Sequence, residues 1–577
     1  MRKRILHVGN IANNALINAG ILASAGYENH VAAPDLYHFA TTPEWQFLGE
    51  SIGRGDIGPD YFPNFFKFNE AKDVRPRWFA QGPYHYVVNY LYYLVSGDQE
   101  AADMCWSMLQ YQRFKAIRYQ TTSPQRILEE AGQFEDSLKE LDVASVFHEE
   151  LWRGWELDYA IRRVYEIILD ISGDETMEAV SPPFPADWLS YYASFRGDFA
   201  EELAQWRSSR LAVFSGLQRI VPTDEGPAQS KISWLVAFCQ RTLSSFLPQA
   251  VLERETVSSM DVDGAPYEGV IDEWKLLLSR YEHRIMYGTS PILAYLANAH
   301  PYVAFEHGTI RSMPFEGGSE ARLLAASYEQ ADAVFLTNTD YITAKPRLEF
   351  DEAKRYYAPH PFDEKPLIEF SRSYKVRRSA EKTVFLAPAR QDWARNDPKW
   401  SKANNLIVEA AALLRGRAED AFVVHFIEWG DDVQATQDLI AEKGLEENFL
   451  WHAPKTKRDL WKAYLDAHAV IDQFLISVIS GVTFEALALG CRVITKDDGI
   501  CNHEFFEGHP PPLFAASTPE EIAEQMRKVM EDPCDISGWG QRAQDWVLEY
   551  HSAERLVNLQ ERAFEKMSAS YGPRIVR

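Results

Sequence analysis

The chain holds no apolar run of the roughly 18 residues that a membrane-spanning helix takes. Its opening, MRKRILHVGNIANNA, has only residues 5–8 as a short apolar core, far below a secretory signal, so the expected location is cytoplasmic. Cysteine is scarce. The five residues Cys105, Cys239, Cys491, Cys501 and Cys534 are odd in number and lack metal-ligand spacing. They offer no disulfide framework and fit a reducing compartment. Positive charge is in deficit, with 59 Lys and Arg against 84 Asp and Glu and a formal net charge of −25. That excludes a general nucleic-acid binder, which needs a basic face against phosphates. An anionic small ligand must instead be met by local cations. Also missing are Gly-x-x-x-x-Gly-Lys-[ST], Gly-x-Ser-x-Gly and His-Glu-x-x-His, the marks of P-loop ATPases, nucleophile-elbow hydrolases and zinc proteases. Paired hydrolytic carboxylates leave no local signature, but the α/β rhythm described next speaks against a hydrolase.

What is present is 577 residues, 46% apolar and 13% aromatic, enough for about two to four domains. Residues 4–34 read as strand (4–8), glycine turn at Gly9-Asn10, helix (14–25) and strand (30–33). This is a Rossmann-like opening, although GNIANN is not Gly-x-Gly-x-x-Gly. The alternation then stops from about 35 to 280. That stretch is rich in Trp, Tyr and Phe, with helical patterns near 98–118, 125–140, 155–170, 197–218 and 231–247. It is too long to be a loop, so it reads as a mostly helical insertion. Its segment PYHYVVNYLYYLV (83–95) fits a buried element first and an interfacial aromatic patch touching a membrane second.

The α/β rhythm resumes at His283, with strands at 283–288, 302–308, 333–337 and 355–361 and helices at 290–299 and 319–330 between them. The charged stretch 363–382 reads as an interdomain linker. A second series follows: strands 383–390, 421–430 and 448–454, helices 402–414, 433–443 and 457–466, and a largely helical end at 518–570. Repeated strand–helix units imply parallel sheets with crossover helices, and ligands in such sheets bind beyond the strand C-terminal ends.

The most informative stretch is AVIDQFLISVISGVTFEALALGCRVIT, residues 469–495. An apolar strand ends at Asp472, Ser480-Gly481 opens a short helix carrying Glu485, and Gly490 closes it before the next strand. Glycine at a helix start lets backbone N–H groups approach an anion, and the helix dipole favours negative charge there. An acid one turn in can accept from a ribose hydroxyl. Together these are suited to a nucleoside diphosphate.

The segment GVTFEALALGCRVI resembles the nucleotide-sugar motif of retaining glycosyltransferases of the group 1 (family 4) type, in Glu485, Ala486, Ala488, Gly490 and Val493. Two positions depart from it: the acid expected eight residues before Glu485 is Ser477, and the usual proline before Val493 is Arg492. The resemblance covers about 383–495 best and 1–34 and 283–361 in outline. It implies a GT-B fold: two Rossmann-like domains facing a cleft, at 1–365 (with the insertion at about 36–280) and 383–540, and a C-terminal helix at 541–577 returning to the first. It implies transfer of a hexose from a UDP- or GDP-sugar to a carbohydrate, glycoconjugate or lipid-linked acceptor, with retention and without a cofactor or metal. In this reading Arg390 and Lys402 grip the diphosphate, with Arg395 as an alternative. His307 faces the donor sugar, and Glu485 holds the ribose. Gly481, Val482 and Thr483 present the helix start, and Asp472 stands near it in partial compensation for Ser477. His452 passes the nucleobase, while Gly9, Asn10, Asn13 and Arg311 line the opposite wall. The acids Asp497, Asp498, Glu504 and Glu507 read as a solvated loop rather than a metal site. Two rival readings stand beside this one, a nucleotide-sugar epimerase of the same fold and a binding protein that has lost catalysis.

Overall fold

Short runs of β-branched and aromatic residues, each followed by a helix, assemble into two parallel sheets. The architecture is that of a computed structural model, which describes residues 3–33, 42–47, 75–82, 84–103, 268–316, 318–337, 351–379, 381–394, 401–415, 421–475, 478–497 and 505–571, with isolated positions besides. The helices expected at 125–140, 155–170, 197–218 and 231–247 lie outside the described residues, and that at 98–118 lies mostly outside them.

The first sheet has seven strands: β1 (Arg4–Val8), β2 (Glu28–Ala33), β3 (Phe79–Gln81), β4 (His283–Tyr287), β5 (Val303–Phe305), β6 (Ala333–Leu336) and β7 (Arg355–Tyr357). Their spatial order is β3-β2-β1-β4-β5-β6-β7. The chain therefore reverses direction across the sheet between β1 and β4, the place where doubly wound sheets open a crevice. β3 comes from the stretch expected to be helical insertion. It pairs in parallel with β2, Val31 opposite Phe79, and extends the sheet by one strand. Three residues are too few to show a period, which is why the sequence hid it. Just beyond it, the run 83–95 forms the helix Tyr84–Ser96 with Val87, Tyr90 and Leu91 buried, as a core helix would have them.

The second sheet has six strands: β8 (Thr383–Ala387), β9 (Phe422–Ile427), β10 (Phe449–His452), β11 (Ala469–Ile471), β12 (Val493–Thr495) and β13 (Phe514–Ala515). Their order, β10-β9-β8-β11-β12-β13, reverses between β8 and β11. Apolar side chains fill both its faces. Phe385, Val424, Phe426 and Ile471 pack with Ile407, Ala411 and Met526 on one side, and Leu386, Val470 and Val493 with Phe484, Leu487 and Trp546 on the other.

The stretch expected to be a linker contains the helix Glu364–Ser373. Asp363 caps it by accepting from the Lys365 N–H at 3.2 Å, and it buries Leu367 and Ile368. Its low apolar content conceals a one-sided stripe, enough to dock a helix of ten residues. The last helix, Ala553–Tyr571, packs on the core of the first sheet through Leu556, Leu559, Ala563 and Phe564. Gln560 and Asn18 exchange two amide hydrogen bonds of 2.9 Å there. The two crossings between the sheets are tied together, because the His360 N–H donates to His551 Nε2 at 3.0 Å and the Ala553 N–H to Glu364 at 2.8 Å.

Candidate active site

β8 and β11 lie side by side, so the loops leaving them meet at the reversal point of the second sheet. The β8 loop is rigid for local reasons. The Asp432 carboxylate accepts from the N–H groups of Trp393 and Ala394 at 2.6 and 2.7 Å. Gln391 exchanges backbone bonds with Trp429 and Asp432 at 2.8 and 3.0 Å. Arg390 pairs with Asp392 at 3.3 Å across this loop. Lys402 is strung between both loops: its N–H donates to the Asp392 carbonyl at 2.6 Å, its carbonyl accepts from Phe474, and its ammonium donates to the Gln473 amide oxygen. Burial lowers the Lys402 pKa to about 8, opposed by the Asp472 charge and reinforced by Arg390 and Arg311. A cation from the first-sheet half, Arg311, is thus within electrostatic reach of two from the second.

Asp472 follows β11 and does not turn outward as a free acid. Its Oδ2 accepts from the hydroxyls of Ser480 and Thr483, the latter at 2.8 Å, so it fixes the entry of the helix Gly481–Ala488. Burial raises its pKa, countered by those hydroxyls and by Lys402. The acid expected to compensate for Ser477 is thus engaged through Oδ2 with the helix entry, and Ser477 and Arg395 themselves lie outside the described residues. Ser480 caps the helix by accepting from the Val482 N–H at 3.1 Å. Gly481 follows with an open face: an added Cβ would meet only the His360 ring, at 3.7 Å. One turn on, Glu485 is nearly buried and ion-paired through Oε1 to Lys457, while its Oε2 is buried with no hydrogen-bond partner.

The first sheet contributes the other wall. His307 and Arg311 follow β5, and the His307 ring lies 4.9 Å from that of His360, which follows β7. Burial lowers the His307 pKa to about 4, with Arg311 and Lys402 adding to the effect, so the ring is neutral. Burial likewise holds His360 well below its ordinary value, aided by His307, His551 and Lys457. His360 therefore links the two groups, Arg311, His307, Lys402 and Arg390 on one side and Gly481, Glu485 and Lys457 on the other.

Three expected residues take structural parts instead. Gly9, at φ +89°, turns where a Cβ would fall 2.8 Å from Ser290 Oγ across the β1–β4 reversal. The Asn10 amide donates to Asn13 at 3.0 Å and accepts from the Leu16 N–H at 3.2 Å, while Asn13 donates to the Thr42 carbonyl at 2.9 Å. His452 is apart from the cations. Its ring meets His425 edge-on at 4.7 Å, and both line a cavity of about 500 Å³ on one face of β8 and β9 with Lys382, Val384 and Lys455. None of Arg390, Lys402, Asp472, Gly481 or Glu485 borders that cavity.

Residues 398–546 match the family described as Glycosyl transferases group 1. That stretch, most of the second-sheet half, is similar to the group 1 glycosyltransferases. Solved structures similar to the chain include sucrose-phosphate synthase from Thermosynechococcus elongatus, at 14% identity over 55% of this chain and 81% of that one, with a TM-score of 0.41. The Anabaena protein HepE in complex with UDP is 15% identical over 57% of this chain and 89% of its own, with a TM-score of 0.40. No curated protein matches the chain. Two parallel sheets joined by crossing segments are the architecture that the resemblance to this family implied.

Four side chains of the candidate site were missed in the sequence: His360, Lys457, Gln473 and Trp45. Pro359-His360-Pro361 after a strand was a usable local signal for the first. The others depend on contacts between distant segments and left no pattern.

Proposed function

We propose that the chain is a glycosyltransferase that moves a hexose from a UDP- or GDP-sugar to a carbohydrate or glycoconjugate acceptor, with retention at the anomeric carbon. One observation carries the reading: Arg311 and Arg390 are within electrostatic reach of Lys402, and Lys402 of Asp472, which binds the Ser480 and Thr483 hydroxyls at the N-terminus of the helix Gly481–Ala488, with the unpartnered Glu485 Oε2 one turn away. The backbone N–H groups and helix dipole suit a phosphate, and Arg390 and Lys402 supply charge where the leaving diphosphate becomes more negative. As the bond from the anomeric carbon to the β-phosphate oxygen breaks, that oxygen takes the proton of the acceptor hydroxyl, whose oxygen bonds to the carbon on the same face. The products are a nucleoside diphosphate and the new glycoside. Neutral His307 serves as a hydrogen-bond donor to the sugar rather than as a base. With the diphosphate charge met by side chains, the reaction is read as independent of metal and cofactor. The scarce, unpatterned cysteines support a cytosolic location. Lipid-linked glycans, reached by peripheral contact with a membrane, are among the acceptors to screen, although among the described residues no helix is long and apolar enough to cross one.

A thermal-shift screen against UDP, GDP, ADP and their sugars tests donor binding, and a radiolabelled hexose then separates transfer from epimerisation. The engagement of Asp472 with two helix hydroxyls favours one rival, a nucleotide-sugar binder without turnover. Binding of a UDP- or GDP-sugar with neither hydrolysis nor transfer would establish that rival. Absence of any nucleotide binding would remove both.

A further inference from the structure

Lys457 is the first residue of the helix Lys457–Asp466, which Thr456 caps by accepting from the Asp459 N–H at 3.4 Å. Its ammonium is ion-paired with Glu485, and both side chains are only 12% exposed. A pair so far from water needs further polar partners to offset the desolvation of two charges. One is supplied from the first-sheet half: the Trp45 ring lies 4.4 Å from Lys457 Nζ, and the Trp45 indole N–H donates to the Lys455 carbonyl at 3.1 Å. The other is missing. Glu485 spends one oxygen on Lys457 and leaves Oε2 buried without a donor. Buried carboxylate oxygens are rarely left unmatched, so this one marks the place of a hydroxyl that arrives with a ligand.

We propose that Lys457 is a nucleotide-positioning residue, which holds the Glu485 side chain aimed so that Oε2 receives a hydroxyl of a ribose diol. Trp45 holds the ammonium from the opposite side and closes the nucleoside end of the crevice. An ammonium has three N–H donors, so Lys457 can keep Glu485 and still donate to the neighbouring ribose oxygen. The inference rests on the nucleotide-sugar reading and goes beyond it, because it assigns recognition of the ribose to a pair of residues rather than to Glu485 alone.

Calorimetric titration of the full chain with UDP, UMP and 2′-deoxy-UMP, and in parallel with the guanine series, tests it. The wild type is expected to bind the ribonucleotides better than the deoxy form. Lys457→Met should weaken the di- and monophosphate alike by at least about tenfold and erase the preference over the deoxy form, as loss of a charged hydrogen bond does. Lys457→Arg should restore most of both. Unfolding midpoints measured in parallel show whether each variant is folded, and Lys457→Gln serves in place of the Met variant if that one is not. A Lys457→Met or Lys457→Gln protein that melts lower yet binds UMP or GMP as the wild type does would overturn the proposal. Failure of the wild type to bind any of these nucleotides would instead overturn the underlying reading. Weakening by Glu485→Gln without weakening by Lys457→Met would sink the Lys457 assignment alone.

Discussion

A lysine buried among two arginines holds its proton near neutrality only with help from an acid. At Lys402 burial lowers the pKa to about 8 and Asp472 works against the fall. Its charge is the form that meets a diphosphate, so kcat/KM for the nucleotide-sugar should decline as pH rises through about 8, a limb belonging to the free enzyme. Lys402→Arg should move that limb out of range, because a guanidinium stays charged. Lys402→Ala should cost at least about tenfold in turnover with the fold retained. A profile that stays flat between pH 7 and 9.5, or unchanged turnover in Lys402→Ala, would take Lys402 out of the site. Position along the chain made Arg390 and Lys402 legible, since a strand end followed by a helix start is a local pattern. What each side chain faces was not legible. Asp472 is spent on two hydroxyls, and Lys457 acquires its meaning only from Glu485 and Trp45, residues distant in sequence.

Two glycines of the second-sheet half should respond to the same substitution in opposite ways. Gly430, at φ +108°, follows β9 where a Cβ would lie 2.3 Å from the Gln391 carbonyl oxygen and 2.4 Å from its nitrogen. Gly430→Ala must therefore displace the loop carrying Arg390 and Asp392, and it should lower stability by about 1–3 kcal/mol in urea titration, together with turnover. Gly481 is helical and its nearest neighbour would be His360 at 3.7 Å, an ordinary contact. Gly481→Ala should leave the urea midpoint unchanged or higher, since alanine favours a helix by up to about 1 kcal/mol. Affinity for UDP or GDP should fall nonetheless, because the methyl group stands where a phosphate approaches the helix start. Equal affinity in Gly481→Ala would show that the anion does not sit there. At this scale most of the fold was readable: the strands of both sheets begin close to where apolar runs follow turn residues. β3, β13 and the helix Glu364–Ser373 escaped, the strands because they are three and two residues long and the helix because it hides its apolar stripe among charges.

Across the whole molecule, burial of imidazole sets the response to acid. In the first sheet His7 and His30 are lowered to about 4 and His283 to about 3, chiefly by burial. His307 beside the crevice and His425 in the second sheet are lowered to about 4 by the same cause. Some of these rings are engaged in their neutral form, as His7 is between Tyr287 and Asn29, at 3.0 Å from each. The unfolded chain titrates its histidines near 6.5. Well above that value neither state binds the proton and stability is level. Between 6.5 and about 4 the unfolded chain takes up protons that the folded one refuses, so stability falls as pH falls. Each fully buried ring contributes up to about 1.4 kcal/mol per pH unit to that slope. Asp472 and Glu364, whose carboxyls burial raises, work in the opposite direction, but they are outnumbered by the histidines. Urea midpoints measured at pH 7.5, 6.5 and 5.5 should therefore fall in sequence, modestly over the first interval and more steeply over the second. Because the rings lie in both sheets, both halves should lose stability over the same pH interval. A midpoint at pH 5.5 equal to that at pH 7.5 would mean that these imidazoles take up protons in the folded state, and that the crevice around His307 is wetter and more positive than its packing indicates.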